Sequence, residues 1–393
     1  MAIDSTTTDA AAARRPLRSG GSIRRRAGWA VAVAAAVLPG LTAGTQPASA
    51  DPIGYYIYAH GYLSDGIAGY AAADTGQPTP IAGRPATGMP NWPQAASPDG
   101  RFLYTAPTTD PRLISYAIGP GGVLTPGASL PLPDVPIDIT FAPNGRDAYV
   151  VVGLVNAAVV PVRIGADGVP VQNGPATPLG AAMDGIGSAA VSPDGRSLYV
   201  ASVPDRQVLV LDIRPDGTVS PAKQRVGGGI NPLFPTITPD GRHLFITNEL
   251  SGTVQAFNRA DDGTLTEVAG SPYPAGILPH VSSITPDGRY LYVPNMGSSF
   301  LSSYAIQPDG TLQPLPNVDF STQTGVYSEA TVMSPSGRAL WALGQDPMRG
   351  TEEVLRRFMI GDDGVLTRDD SVDQYIDGTA VADGRTLTLV PGH

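Results

Sequence analysis

Seven times between residues 97 and 390 the chain returns to one phrase, in steps of 45, 50, 46, 47, 49 and 47 residues. The copies read SPDGRFLYTA (97–106), APNGRDAYVV (142–151), SPDGRSLYVA (192–201), TPDGRHLFIT (238–247), TPDGRYLYVP (285–294), SPSGRALWAL (334–343) and, worn down, ADGRTLTLV (382–390). A fixed period in this range marks a repeat architecture, in which each unit buries its apolar faces only against its neighbours. The phrase is a hairpin turn leading into a strand. Proline presets φ for the second turn position, Asp or Asn bonds back to the local backbone, and glycine takes the site at φ > 0. Three and four residues past the glycine stand Leu103 and Tyr104, Leu198 and Tyr199, Leu291 and Tyr292, Leu340 and Trp341. Large apolar residues on both faces of a strand predict burial on both sides.

A second turn phrase interleaves with the first: GPGGVL, GADGVP, RPDGTV, ADDGTL, QPDGTL and GDDGVL, with ADTGQP as a degenerate first copy. Six residues before its glycine stand Tyr70, Tyr116, Val162, Leu211, Phe257, Tyr304 and Phe358, one large apolar residue per unit. Two hairpin turns per period give four short strands, and seven such units arranged radially make an all-β, seven-bladed β-propeller with four antiparallel strands per blade. A pair of β-sandwiches would also show short strands and turns, but not one phrase held in phase through seven periods. With strands labelled a to d from the axis outward, the first phrase joins a to b and the second joins c to d. The b-like YYIYA (55–59) and the last copies near Thr379 and RTLTLV predict a closing blade stitched from both chain ends, with one b-like segment left over.

Residues 1–50 read as a secretory signal: six arginines by position 26, an apolar run from Ala27 to Leu38, and small residues Ala48 and Ala50 before a cleavage site. SIRRRAGWA resembles a twin-arginine signal. Residues 51–393 form one propeller on this reading, and the expected location is extracytoplasmic. Taking six arginines and two aspartates away from 25 basic and 35 acidic residues leaves 19 against 33, a net charge of -14. One lysine, Lys223, lies in that region, so a nucleic-acid backbone is excluded as a partner. No cysteine occurs anywhere, so disulfides play no part.

Since both phrases turn on one face, the variable d-to-a and b-to-c loops share the other, where binding residues of a rigid scaffold concentrate. Seven residues before the phrase glycine, at the start of strand a, stand Pro93, Asp138, Ser188, Phe234, Val281, Ala330 and Asp377; one residue earlier stand Trp92, Ile137, Gly187, Leu233, His280, Glu329 and Ile376. Strand alternation predicts that one set alone lines the axial channel. His280 with Glu249 or Glu329 would make a general base and its orienting carboxylate; a lone histidine capping a loop or packing on a neighbouring blade is the simpler alternative. Asn248, Asp138, Asp377, Trp92 and Asn295 are the candidates for holding a small ligand at this mouth. His243, on the turn face, is expected to be solvated, and His60 falls in a loop. Four histidines with no i, i+4 pair and no cysteine predict no metal site, and no cofactor motif is present.

The stretch PLFPTITPDGRHLFITNELSGTVQAFNRADDGTLTEV (232–268), with its PDGR, the NEL after strand b and the DGTL turn, resembles the propeller lactonase family, which includes 6-phosphogluconolactonase-like enzymes. Exported propellers of the YVTN-repeat type share the turn phrases. The family often carries Pro-Arg-His at the start of strand a, where this chain has Pro232-Leu233-Phe234 and Pro279-His280-Val281. The resemblance implies a hydrolase or isomerase acting on a small lactone or sugar acid, with Asn248, Glu249 and His280 as the positions that carry over; the leader makes it an exported one, and a monomer is expected. The alternative is a non-catalytic propeller that binds a protein or glycan through rim aromatics such as Trp92, Tyr327 and Phe300.

Overall fold

A computed structural model describes residues 54–61, 64, 66–87, 91–154, 156–180, 187–321, 327–346, 352–376 and 384–392. The putting-aside of residues 1–50 as a leader, and Asp377, lie outside the described residues. The rest is a seven-bladed β-propeller of antiparallel four-stranded sheets, two of which carry a short extra outer strand. The innermost strands, in order around the axis, are Asn91–Ala96, Pro136–Phe141, Gly187–Val191, Pro232–Ile237, Ser283–Ile284, Tyr327–Met333 and Leu387–Pro391, and the last returns to pack beside the first. Among the described residues no helix is long and apolar enough to cross a membrane.

Both turn phrases do what their residues predict. All fourteen of their glycines have positive φ, between +66° and +85°, a region that costs an L-residue about 1–2 kcal/mol. The b strands are buried along their whole length in six of the seven blades, as in Asp147–Val152 and Ser197–Ser202, and the remaining one, Ala339–Gln345, is buried but for its last residue. Seven apolar clusters result, one in each gap between neighbouring blades.

The aromatic residue of the phrase has a second task. Tyr58, Tyr104, Tyr199 and Tyr292 each donate a hydroxyl hydrogen bond of 2.7–2.9 Å to the c–d turn glycine of the following blade, at the carbonyls of Gly122, Gly168, Gly263 and Gly364. Trp341 reaches the next blade in its own way, through Nε1 to the Tyr55 hydroxyl at 2.9 Å. The tyrosine position is thus tied to the c–d turn of the next blade across four of the gaps.

The closing blade is stitched from both chain ends as expected, but its strand assignment differs. Its inner strand is Leu387–Pro391, which pairs antiparallel with Tyr55–Ala59 from the other end of the chain. The last phrase copy is thus no a–b hairpin: its strand takes the inner position and Tyr55–Ala59 serves as b. Gly384 and Arg385 are carried to the loop face instead of the turn face. His243 also departs from expectation; it is buried, with Nδ1 2.7 Å from the Asn258 side-chain oxygen.

Candidate active site

Strand alternation fails where the inner strands begin. Four of them carry a β-bulge at that end, between Asn91 and Gln94, Pro136 and Asp138, Leu233 and Thr236, and Ser328 and Ala330. An extra residue in one strand re-aims its neighbours, so both sets of residues at the strand starts reach the mouth, not one. A cavity of about 140 Å3 lies there, walled by Trp92, Ile137, Asp138, Ser188, Leu233 and Phe234 from four consecutive blades, by Asn231, Glu249 and Met296 from loops, and by Arg385 from the closing strand. Larger clefts of about 560 and 420 Å3 lie on the opposite face between neighbouring turns; they are lined by the repeated phrases themselves and follow from the repeat.

Two neighbouring loops of identical construction build one wall. Gly229 N–H donates to Asn248 Oδ1 and Gly276 N–H to Asn295 Oδ1, both at 3.0 Å. Glu249 N–H donates to the Asn231 carbonyl and Met296 N–H to that of Leu278. A Cβ at Gly229 or Gly276 would sit 2.5 Å from the asparagine side chain, so glycine is required there. Asn248 and Asn295 are fully buried and hold these loops; neither lines the cavity. Asn231 and Leu278 sit in the left-handed region at φ +60° and +54°, a sparsely populated state for bulky residues that tends to occur where a site needs it. Phe234 is held the same way at φ +49°, its N–H donating to Ser188 Oγ at 2.6 Å.

The loops bring Glu249 to His280. Glu249 Oε1 stands 3.2 Å from His280 Nε2, and Asn231 Nδ2 donates to the other carboxylate oxygen. His280 Nδ1 lies 2.7 Å from the carbonyl of Glu329 and packs its ring on Phe234 at 4.3 Å between centroids. A carbonyl can only accept, so Nδ1 carries a hydrogen and Nε2 turns its lone pair to the carboxylate. His280 is wholly buried whereas the Glu249 side chain is 12% exposed, so the carboxylate, not the imidazole, meets the cavity. Glu329 contributes its backbone to His280 and does not line the cavity.

Across the cavity Asp138 and Arg385 form a second pair, Oδ1 to Nε 3.2 Å. Asp138 Oδ2 accepts the Ala189 N–H at 2.8 Å, and Arg385 donates to the Ala189 carbonyl at 3.0 Å. Burial pushes the Asp138 carboxyl above the ordinary carboxylate range, against the opposing pull of Arg385 and the Ala189 N–H. Arg385 was hidden in the sequence inside the worn phrase copy, where its neighbours point to the turn face.

Residues 94–278 match the family described as Lactonase, 7-bladed beta-propeller. Over this stretch, a little under half of its length, the chain is similar to the lactonase family. A 6-phosphogluconolactonase from an Enterobacter is 31% identical over 169 residues, covering 42% of this chain and 50% of that protein, so the match spans about half the length of the curated relative. Among solved structures, a putative 6-phosphogluconolactonase from Bacteroides fragilis is 20% identical with a TM-score of 0.72, covering 88% of this chain and all of that one. The periplasmic gluconolactonase of Pseudomonas aeruginosa is 21% identical with a TM-score of 0.69, covering 86% and 99%. At these identities the two structures speak for the fold of the lactonase propeller, and the site is argued from its own residues.

Proposed function

We propose that the chain is a lactone hydrolase whose base is the Glu249 carboxylate. The observation that carries this reading is the Glu249 carboxylate on the wall of a small cavity, with His280 Nε2 3.2 Å behind it. In the reaction, a water oxygen attacks the lactone carbonyl carbon while Glu249 takes one of its protons. His280 keeps that proton in place through Nε2, since its own orientation is set by the Glu329 carbonyl. The acyl bond to the ring oxygen then breaks, the proton passes to that oxygen as it leaves as a hydroxyl, and the carboxylic acid formed ionises. His280 is on this account a positioning residue, in place of the base it is expected to be from its sequence.

Support for a small ring as substrate comes from the size of the cavity and from Trp92 and Phe234 on its walls, which offer flat apolar faces. The family and the name of the Enterobacter relative point the same way. The test is a panel of sugar and aromatic lactones with ring opening followed by proton release. Opening above background that is lost in Glu249→Gln, with the melting temperature kept, supports the reading; a folded protein that opens none, or a Glu249→Gln variant with full activity, overturns it. Export belongs to the same proposal: protein recovered outside the cytoplasm should begin at Asp51, and a mature chain that still starts at Met1 would refute it.

A further inference from the structure

The hydrolase reading does not by itself choose among lactones, but the charges on the cavity wall do. We infer that Asp138 is an anion filter: paired with Arg385, it cancels the positive side chain of the wall, so that the site takes an uncharged lactone and rejects the phosphorylated form of the same ring. The word lactone rests on the proposed function; the preference rests on the charges.

Among the described residues lining the cavity, Arg385 is the one base, and Asp138 and Glu249 are the acids. Arg385 cannot offer a phosphate its whole fork of donors. Its Nε faces Asp138 at 3.2 Å and its Nη2 is used on the Ala189 carbonyl at 3.0 Å. Asp138 cannot swing away to release it, because it is 2% exposed and its second oxygen is tied to the Ala189 N–H. An arginine recognises phosphate through a fork of donors that must be free together, and here one donor is spent on a carbonyl while Nε lies against a carboxylate. A phosphate entering the cavity would bring about -1.5 to -2 charges beside two carboxylates, and like charges juxtaposed in a contact strongly suppress the wrong partner. No long-range field offsets this, since the chain beyond residue 50 carries 33 acidic against 19 basic residues.

The experiment reads binding, so that it does not depend on turnover. The purified chain is titrated calorimetrically with a neutral sugar lactam, a ring the proposed reaction does not open, and with the 6-phosphate of the same lactam. The neutral lactam should bind roughly a hundredfold more tightly. Asp138→Asn should raise affinity for the phosphate roughly tenfold and narrow that gap, because the amide leaves Arg385 uncancelled. Equal or tighter binding of the phosphate by the unaltered chain, or no binding of the neutral lactam, overturns the inference, and that comparison stands even if Asp138→Asn does not fold. Lactam binding by a chain that opens no lactone would sink the hydrolase reading and leave the filter standing, so the two failures are distinguishable.

Discussion

Two glycines in the second blade separate backbone strain from interblade packing. Gly145, in the a–b turn, has φ +66° and no atom within 4 Å of where a Cβ would stand. Gly168, in the c–d turn, has φ +79°, but its Cβ would fall 2.3 Å from the ring of Phe102 in the preceding blade. Gly145→Ala therefore carries only the left-handed cost of an L-residue, about 1–2 kcal/mol. Gly168→Ala adds overpacking, about 1–3 kcal/mol more, and it displaces the carbonyl that accepts the Tyr104 hydroxyl at 2.9 Å. With an unfolding entropy of about 2.1 cal/mol/K per residue over roughly 340 residues, 1 kcal/mol corresponds to about 1.4 °C. Scanning calorimetry should then find Gly145→Ala lowered by about 1–3 °C and Gly168→Ala by about 3–7 °C. Equal losses would refute the claim that the second phrase keeps its glycine for the neighbouring blade.

Tyr292→Phe should cost about 1 kcal/mol in chemical denaturation, because the Gly364 carbonyl loses its 2.8 Å hydrogen bond; an unchanged midpoint would remove the interblade lock. Removing residues 387–393 should leave Tyr55–Ala59 as an exposed inner edge and give an aggregating protein; a truncated chain that stays monomeric with the same melting temperature would contradict the closure. Burial holds the His60 imidazole down to about 4 from 6.5, so the fold favours its neutral form. Its stabilisation is present above pH 6.5 and is lost as the pH falls toward 4; melting temperature should fall through that window, and His60→Asn should flatten the fall, whereas an identical slope in the variant would place its cause elsewhere.

The repeat was legible because its residues are turn chemistry, and turn chemistry is local. Proline, aspartate and glycine at Pro286, Asp287 and Gly288 specify a hairpin wherever the strands go. What the pattern could not show was tertiary. The last copy, around Gly384, has the same local signal as the others, yet pairing with Tyr55–Ala59 makes its strand an a instead of a b. Burial of His243 likewise depends on Asn258 from the neighbouring strand. At the site, the sequence pointed to His280 and Glu249 but not to their order, since the depth of each follows from two loops packed side by side. Alternation at the strand starts failed for a physical reason, the bulges at Asp138 and Leu233, and no residue type announces them. Arg385 could not be found without the ring closure that carries it to Asp138.

The central claim is that Glu249 activates a water, and a single turnover in 18O-labelled water tests it most directly. With enzyme in excess over a neutral lactone it opens, the account predicts one 18O atom in the carboxylate of the first-formed product and none in Glu249. Label found in the Glu249 side chain, with unlabelled product from the first turnover, would mean that the carboxylate attacks the carbonyl itself, and would contradict the account.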